Sequence, residues 1–311
     1  MTRTVLRAAT RGSALARRQT SIVAGLLAEA GGVATEPVVV STAGDRLAGT
    51  PIHAMGGKGV FVREVQAAVL DGRADIAVHS AKDLPSSTPE GLVLAAVPRR
   101  GDPRDALVGC RLAGLPAGAT VATGSVRRKA QLAWTRPDLA FAELRGNIAT
   151  RLDKASAFDA IVMAAAALQR LGLEPDVVDV LEPDVFVPQV GQGAIAVECR
   201  TDDRAVLEAL LAAEHGPSRR AVDAERAFLA ELGGDCGLPA GAHATIGPTG
   251  TLELTGLLAS VDGRTLLRDT RPGADPATLG RAMARHLLHD LGGSELLAAT
   301  PTISRQPDSS T

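Results

Sequence analysis

Basic residues at the ends of short apolar runs are the first chemical signal in this sequence. Thr10-Arg11-Gly12-Ser13, Thr123-Gly124-Ser125-Val126-Arg127-Arg128 and Arg145-Gly146-Asn147 with Arg151 each join an apolar run to a helical pattern. At such a point free backbone N–H groups and the helix dipole favour an anion. A hydroxyl adds a neutral donor, and an arginine fork matches carboxylate or phosphate. Between Thr123 and Arg151 six basic side chains stand against two acidic ones, in a chain of formal net charge -2. One such end alone reads as an N-capping serine with solvated arginines. Three of them at strand-to-helix turns, where open α/β sheets bind ligands, point to a cleft for a polyanion.

Three further segments carry candidate chemistry. Gly56-Gly57-Lys58-Gly59 sets one lysine among glycines but lacks the Gly-x-x-x-x-Gly-Lys-Ser/Thr spacing of a nucleotide P-loop. It suits a loop that brings Lys58 to an anion, or a plain flexible turn. Ala77-Val78-His79-Ser80-Ala81-Lys82-Asp83-Leu84-Pro85 runs an apolar strand straight into Ser80, Lys82 and Asp83. Ligand-facing groups gather at such strand ends, so Asp83 is placed to steady a cation or move a proton. The blander alternative is a surface Lys82–Asp83 ion pair. His79 reads as a hydrogen-bonded structural residue. Cys110 and Cys199 close apolar runs and read as inert core thiols. Cys236, in Gly233-Gly234-Asp235-Cys236-Gly237-Leu238-Pro239, sits among small residues that leave its sulfur accessible, which suits either a nucleophile for covalent attachment or an unreactive thiol. No Cys/His spacing suggests a metal.

The elements that must hold these groups alternate in type. Val5–Ala9 reads as a strand, Ala14–Ala30 as a helix stopped by Gly31-Gly32, and Pro37–Ser41 as a second strand. Helix Val60–Leu70 and strands Asp75–His79 and Leu92–Val97 follow. Arg99-Arg100-Gly101-Asp102-Pro103 is a turn-rich break and a candidate domain crossing. The pattern restarts with strand Thr120–Ala122, helix Val126–Trp134, strand Leu139–Leu144, a helix from about Ile148, strand Phe158–Met163 and helix Ala164–Leu171. Ala194–Glu198 reads as a strand returning to the first unit. Helices Asp203–His215 and Ser218–Leu232 lead to strands Ala244–Ile246, Leu252–Ala259 and Thr265–Thr270 and a closing helix Ala277–Leu291. Strands separated by helices predict two parallel-rich α/β units, and the last stretch a smaller α+β unit. An internal echo supports the pairing: Ala9-Thr10-Arg11-Gly12-Ser13 with Arg17, Arg18 and Gln19 is similar to Ala122-Thr123-Gly124-Ser125 with Arg127, Arg128 and Gln131.

Composition narrows the function further. Apolar residues make up 45% and charged residues 22% of 311, as in ordinary globular protein with two or three cores. The near-neutral balance argues against a general nucleic-acid binder, and an aromatic content of 2% leaves few platforms for base stacking. The best apolar run, Ala160–Leu168, ends at Gln169, short of the roughly 18 residues a membrane helix needs. The opening residues lack the apolar stretch of a secretory signal, and three cysteines cannot complete a disulfide framework. The expectation is a cytoplasmic protein with no nucleic-acid partner, no membrane and no metal.

These segments together resemble the hydroxymethylbilane synthase (porphobilinogen deaminase) family. The matching residues are Arg7-x-x-Thr10-Arg11-x-Ser13, Gly56-Gly57-Lys58-Gly59 with Phe61, and Ala77-Val78-His79-Ser80-x-Lys82-Asp83-Leu84-Pro85. They continue with Asp102-Pro103-Arg104-Asp105-Ala106, Gly124-Ser125-x-Arg127-Arg128 and Arg145-Gly146-Asn147-x-x-Thr150-Arg151-Leu152. Val190-Gly191-Gln192-Gly193-Ala194 and Cys236-x-x-Pro239-x-Gly241 complete the set, in order over nearly the whole chain. Asp235 departs from the glycine that often precedes the cysteine in that family.

The resemblance implies two periplasmic-binding-protein-like α/β domains flanking a cleft, and an α+β third domain carrying the cysteine. On that plan the units span 1–98 with 194–215, then 99–193, then 216–300, with a disordered tail over 301–311. It also implies an enzyme that condenses four porphobilinogen molecules head to tail, losing ammonia at each step, until water releases hydroxymethylbilane. The primer would be a dipyrromethane cofactor held by a thioether to Cys236. Each pyrrole carries an acetate and a propionate, so Arg11, Lys58, Lys82, Arg127, Arg128, Arg145 and Arg151 would serve carboxylates. Ser13, Ser80, Thr123 and Ser125 would be neutral donors, and Gln192 a further binding residue. Asp83 matches the family's catalytic aspartate, which would steady the azafulvenium-type cation left by ammonia. The expected partner is porphobilinogen, bound by a monomer. A rival reading is a non-catalytic anion-binding protein with a two-domain α/β cleft, which gives no reason for a covalently loaded cysteine.

Overall fold

A computed structural model describes residues 5–46, 59–233 and 237–299. The first run of elements is β1 (Val5–Arg11), α1 (Ala14–Gly31), β2 (Ala34–Val40), a single turn α2 (Ala43–Arg46), α3 (Arg63–Leu70), β3 (Ile76–Ser80) and β4 (Leu92–Ala96). Beyond a crossover come β5 (Asp105–Val108), β6 (Thr120–Ala122), α4 (Val126–Thr135), β7 (Ala140–Ala142), α5 (Ile148–Asp153), β8 (Ala160–Ala164), α6 (Ala165–Leu171) and β9 (Val178–Leu181). The chain returns through β10 (Ile195–Arg200) and α7 (Arg204–Leu210). It ends in α8 (Gly216–Glu231), β11 (Ala240–Ile246), β12 (Leu252–Ala259), β13 (Leu266–Gly273), α9 (Pro276–Arg285) and α10 (Gly293–Ala299).

Two five-stranded sheets share one plan, in the orders β2-β1-β3-β10-β4 and β7-β6-β8-β5-β9. In each, three strands pair in parallel, and the fourth position is an antiparallel strand delivered by a crossover: β10 against β3 and β4, β5 against β8 and β9. The fold is thus α/β with parallel-rich sheets, as the alternation of patterns implied. A third, antiparallel sheet, β11-β12-β13, carries α8 and α9 on a separate core of Phe228, Leu252, Leu254, Leu258, Met283 and Leu287.

Local chemistry sets the helix ends. The Ser13 and Ser125 hydroxyls cap α1 and α4, Asn147 caps α5, and Gly32 closes α1 in the left-handed conformation at φ 64°. The two crossovers press together so closely that a Cβ on Gly193 would lie 2.6 Å from the Gly101 carbonyl oxygen, and Gly193 also holds φ +82°.

Several elements differ from their sequence reading. β5, β9 and α10 were not foreseen: β5 is a buried four-residue run, β9 a four-residue edge strand and α10 a seven-residue helix, each too short to show a period. The strand expected over Leu139–Leu144 shrinks to Ala140–Ala142, and Val60–Val62 is a turn preceding α3. Cys199 is fully buried, and burial pushes its thiol up to about 11. Cys110, read as a core thiol, is only half-buried against the edge of the second sheet's core. Lys58, Cys236 and the 301–311 tail lie outside the described residues. Among the described residues no helix is long and apolar enough to cross a membrane, and no group of three or more His, Cys, Asp or Glu side chains could hold a metal ion.

Candidate active site

β3 ends in a buried register between β1 and β10, and the chain then tightens into a single 3-10 turn, Ala81–Asp83. Gly191 packs against this turn, where a Cβ would meet the Ala81 carbonyl carbon at 3.0 Å. The turn is therefore fixed from below, and Lys82 and Asp83 project from it. Lys82 Nζ donates to Gln192 Oε1 at 3.4 Å. Burial, then the charge of Arg128, pulls the Lys82 ammonium down to about 8, although Asp83 and Asp105 oppose this. No Lys82–Asp83 ion pair forms, so the surface-pair alternative is excluded. Asp83 is half-buried, and its charge acts on Lys82 and Arg151.

The opposite wall belongs to the second sheet. Thr123 Oγ1 accepts from Ser125 N at 3.2 Å, which shapes the turn leading into α4. The first turn of α4 drives Arg127 and Arg128 inward onto Asp105, the fully buried first residue of β5. Arg128 Nε and Nη2 lie 2.9 and 2.7 Å from Asp105 Oδ1, and its Nη1 donates to Val162 O at 2.9 Å. Arg127 Nη1 sits 2.8 Å from Asp105 Oδ2 but aims its N–H at Val187 O, 2.7 Å away. Burial would raise the Asp105 carboxyl, but the two guanidiniums outweigh it and hold the group well below the usual carboxylate range. Gln192 bridges the walls: its Nε2 donates to Asp105 Oδ1 at 3.0 Å and to Pro103 O at 2.8 Å. Arg127 is 3% exposed, yet its Nε and Nη2 have no hydrogen-bond partner among the described residues.

The structure brings Lys82, Asp83, Arg128, Arg151 and Gln192 into one electrostatic neighbourhood with Arg127 behind them. Arg151 Nε donates to Gly146 O at 2.8 Å, and burial lowers its guanidinium to about 10. Other expected residues have local duties. Ser13 caps α1; Arg11 stacks over Phe61 at 4.2 Å; Arg145 pairs with Glu143 at 2.8 Å; Ser80 exchanges hydrogen bonds with Gln19 at 2.8 and 3.2 Å. The bland reading of solvated arginines holds for Arg17 and Arg18, which are exposed, and fails for Arg127 and Arg128.

Sequence reasoning missed Asp105, Gln19 and Glu225. Asp105 stood in the quoted segment Asp102–Ala106, and an acidic residue opening an apolar run was the available signal. Glu225 of α8 accepts from Arg100 Nη1 at 2.6 Å, Gly191 N at 2.7 Å and Ala244 N at 2.9 Å, tying both crossovers to the third sheet. Nothing local announces such a partner set. Chemically, the neighbourhood suits a multiply carboxylated ligand met by fixed cations, with the Asp83 carboxylate, which makes no ion pair among the described residues, available to a transient positive charge.

Comparison with known proteins shows the family. Residues 6–208 match the family described as porphobilinogen deaminase, dipyromethane cofactor binding domain, and residues 220–289 match its C-terminal domain. The porphobilinogen deaminase of Roseiflexus castenholzii is 49% identical over 297 residues, covering 93% of this chain and 97% of that one. The enzyme of the same name from Acidothermus cellulolyticus is 45% identical over 97% of this chain and 94% of its own. Among solved structures, the methionine-binding protein MetQ aligns with 70% of this chain and 92% of its own at TM-score 0.41 and 12% identity.

Proposed function

The chain belongs to the porphobilinogen deaminase family, and on that premise we propose that it is a hydroxymethylbilane synthase. It joins four porphobilinogen molecules head to tail on a covalent dipyrromethane primer, releases ammonia at each step and frees hydroxymethylbilane by hydrolysis. The observation that carries this reading is the Asp83 carboxylate, which makes no ion pair among the described residues and whose charge acts on Lys82 and Arg151.

The residues present fit the primer. Dipyrromethane is a tetracarboxylate, and the buried Nε and Nη2 donors of Arg127 are satisfied by such a group. When bound, the primer supplies the nucleophilic pyrrole carbon that accepts each new unit. We assign its attachment to Cys236 through a thioether. Gly241 supports this placement: a Cβ there would meet Pro188 O at 2.7 Å and Arg127 Cδ at 3.2 Å, and Ala242 N donates to Pro188 O at 3.1 Å.

Asp83 has the catalytic role. As ammonia leaves the aminomethyl group, positive charge spreads into the pyrrole, and a carboxylate near its N–H lowers the energy of that cation. Arg11, Ser13, Lys58, Ser80, Lys82, Thr123, Ser125, Arg127, Arg128, Arg145, Arg151 and Gln192 bind the acetates and propionates or shape the walls that do. Arg128, whose donors are committed to Asp105 and Val162 O, acts chiefly as a fixed charge. We read 1–98 with 194–215, 99–193 and 216–300 as the three working domains, and place the enzyme in the cytoplasm as a monomer. The free thiols of Cys110 and Cys199 support a reducing compartment.

Incubation with porphobilinogen tests the reading directly. Ammonia should be released, and the intact protein should weigh more than its polypeptide by two pyrrole units, an increment missing from Cys236→Ser. A protein that neither carries nor acquires this mass refutes it.

A further inference from the structure

One face of α8 holds the catalytic turn in place. Val222, Glu225 and Arg226 stand at the i, i+3, i+4 spacing that aligns side chains on one side of a helix. Val222 is fully buried in a cluster with Ala81 and Leu84, the two residues that bracket Lys82 and Asp83. Glu225 accepts from Gly191 N, and the Gly191 backbone lies against the Ala81–Lys82 peptide. Arg226 Nη2 donates at 3.2 Å to the carbonyl of Ser86, three residues beyond Asp83, and this is its only hydrogen bond among the described residues.

Arg226 is an unusual residue to spend on one carbonyl. It makes no close ion pair, and its charge acts at longer range with Glu198 and Asp223. Glu198 in turn is buried on β10, where it accepts from Gln66 Nε2 at 2.9 and 3.1 Å and lies 3.2 Å from His79 Nε2. His79 is three residues before Lys82 on the strand that leads into the turn. The turn is thus gripped on its near side by the Glu198 cluster and on its far side by Arg226. α8 is continuous from Arg226 to Glu231 and then leads toward Cys236.

We propose that Arg226 is a positioning residue for the reaction: through the Ser86 carbonyl it fixes the Asp83 turn relative to α8, the helix that leads to the cysteine. The consequence is a fixed position of the acid relative to α8 and the third sheet. This rests on the reading of Asp83 as the catalytic carboxylate.

The test uses the holoenzyme in steady-state assays, with intact mass to show that the primer is attached. Arg226→Gln should keep the primer and an unchanged KM while kcat falls on the order of 10–100-fold, the scale expected when a reacting group is displaced by about 1 Å. Arg226→Lys, which can still donate to a carbonyl, should recover most of that loss and serves if the glutamine variant does not fold. In an Asp83→Glu background, Arg226→Gln should add little to the loss already present, since both changes act through one group. An unchanged kcat in Arg226→Gln, or losses that multiply in the double variant, would overturn the proposal. Normal turnover in Asp83→Glu and Asp83→Asn alike would instead remove the Asp83 assignment on which it stands.

Discussion

α1 and α4 both begin at a serine cap whose hydroxyl accepts from the N–H three residues on, at 3.3 Å for Ser13 and 3.4 Å for Ser125. Six residues after each cap stands a buried glutamine, Gln19 or Gln131. The fourth position after each cap, Arg17 or Lys129, is exposed, and the third is buried. That third position is Ala16 in α1 and Arg128 in α4. The same helical phase thus buries a methyl group on one side of the cleft and a guanidinium on the other. Only the second side needs Asp105, because a buried cation without a counter-charge is costly. At the third position burial makes Arg128 a fixed charge, while Arg17 and Arg18 of α1 stay exposed.

Removing Asp105 is the strongest way to break this contrast. Asp105→Asn leaves Arg127 and Arg128 buried without their anion and should cost about 3–5 kcal/mol in a urea melt. On the other side, Gln19→Ala removes neutral bonds to Ser80 and should cost about 0.5–1.5 kcal/mol; equal losses would erase the distinction. The sign of the pH dependence follows. The Asp105 carboxyl is held below its ordinary value, so its contribution is complete above that value and is lost as pH falls through the folded one. The asparagine variant should lack this part of the acid transition.

Next in size is Asp83→Asn, expected to retain the primer by mass while turnover falls ~10²–10³-fold. Asp83 belongs to the side of the cleft without buried arginines, so near-normal turnover would leave the two walls functionally alike.

Lys82 sharpens the comparison through pH. Its ammonium is lowered from 10.5 to about 8 by burial and by Arg128 across the cleft. The charge is lost as pH rises through about 8, so affinity for a dicarboxylate pyrrole should weaken above it, read as KM against pH. Stability moves the opposite way, rising between about 8 and 10.5, because the unfolded chain holds this proton longer. Lys82→Arg, charged throughout, should flatten both curves. The smallest effects belong to what the two turns share: Ser13→Ala and Ser125→Ala should each cost about 1 kcal/mol in thermal melts. A large inequality between them would show that the caps do more than close a helix.

Much of this was legible in order along the chain. β6 and β12 fall where their apolar runs place them, and the serine caps and the glycine stop of α1 follow from residue type at a helix end. The crossover was legible at Arg99–Pro103, where turn formers interrupt the pattern. β5 and β9 were not, since four residues, buried in β5 and at the sheet edge in β9, are too few to show a period. Nor did the sequence show that Arg128 and Ser80, expected to bind the ligand, are engaged by Asp105 and Gln19, partners distant in sequence.

The sequence by itself determined the α/β alternation, the doubled turn-and-helix unit, the acid at the end of β3 and the family, because these depend on local residue types and their order. Tertiary structure alone decided which cations are bound to an internal anion, which carboxylate is left unpaired, and that α8 grips the turn bearing it. Those outcomes depend on burial and on contacts between segments up to about 140 residues apart, such as Ser86 with Arg226, and an electrostatic energy has no value until the distance and the surrounding dielectric are fixed.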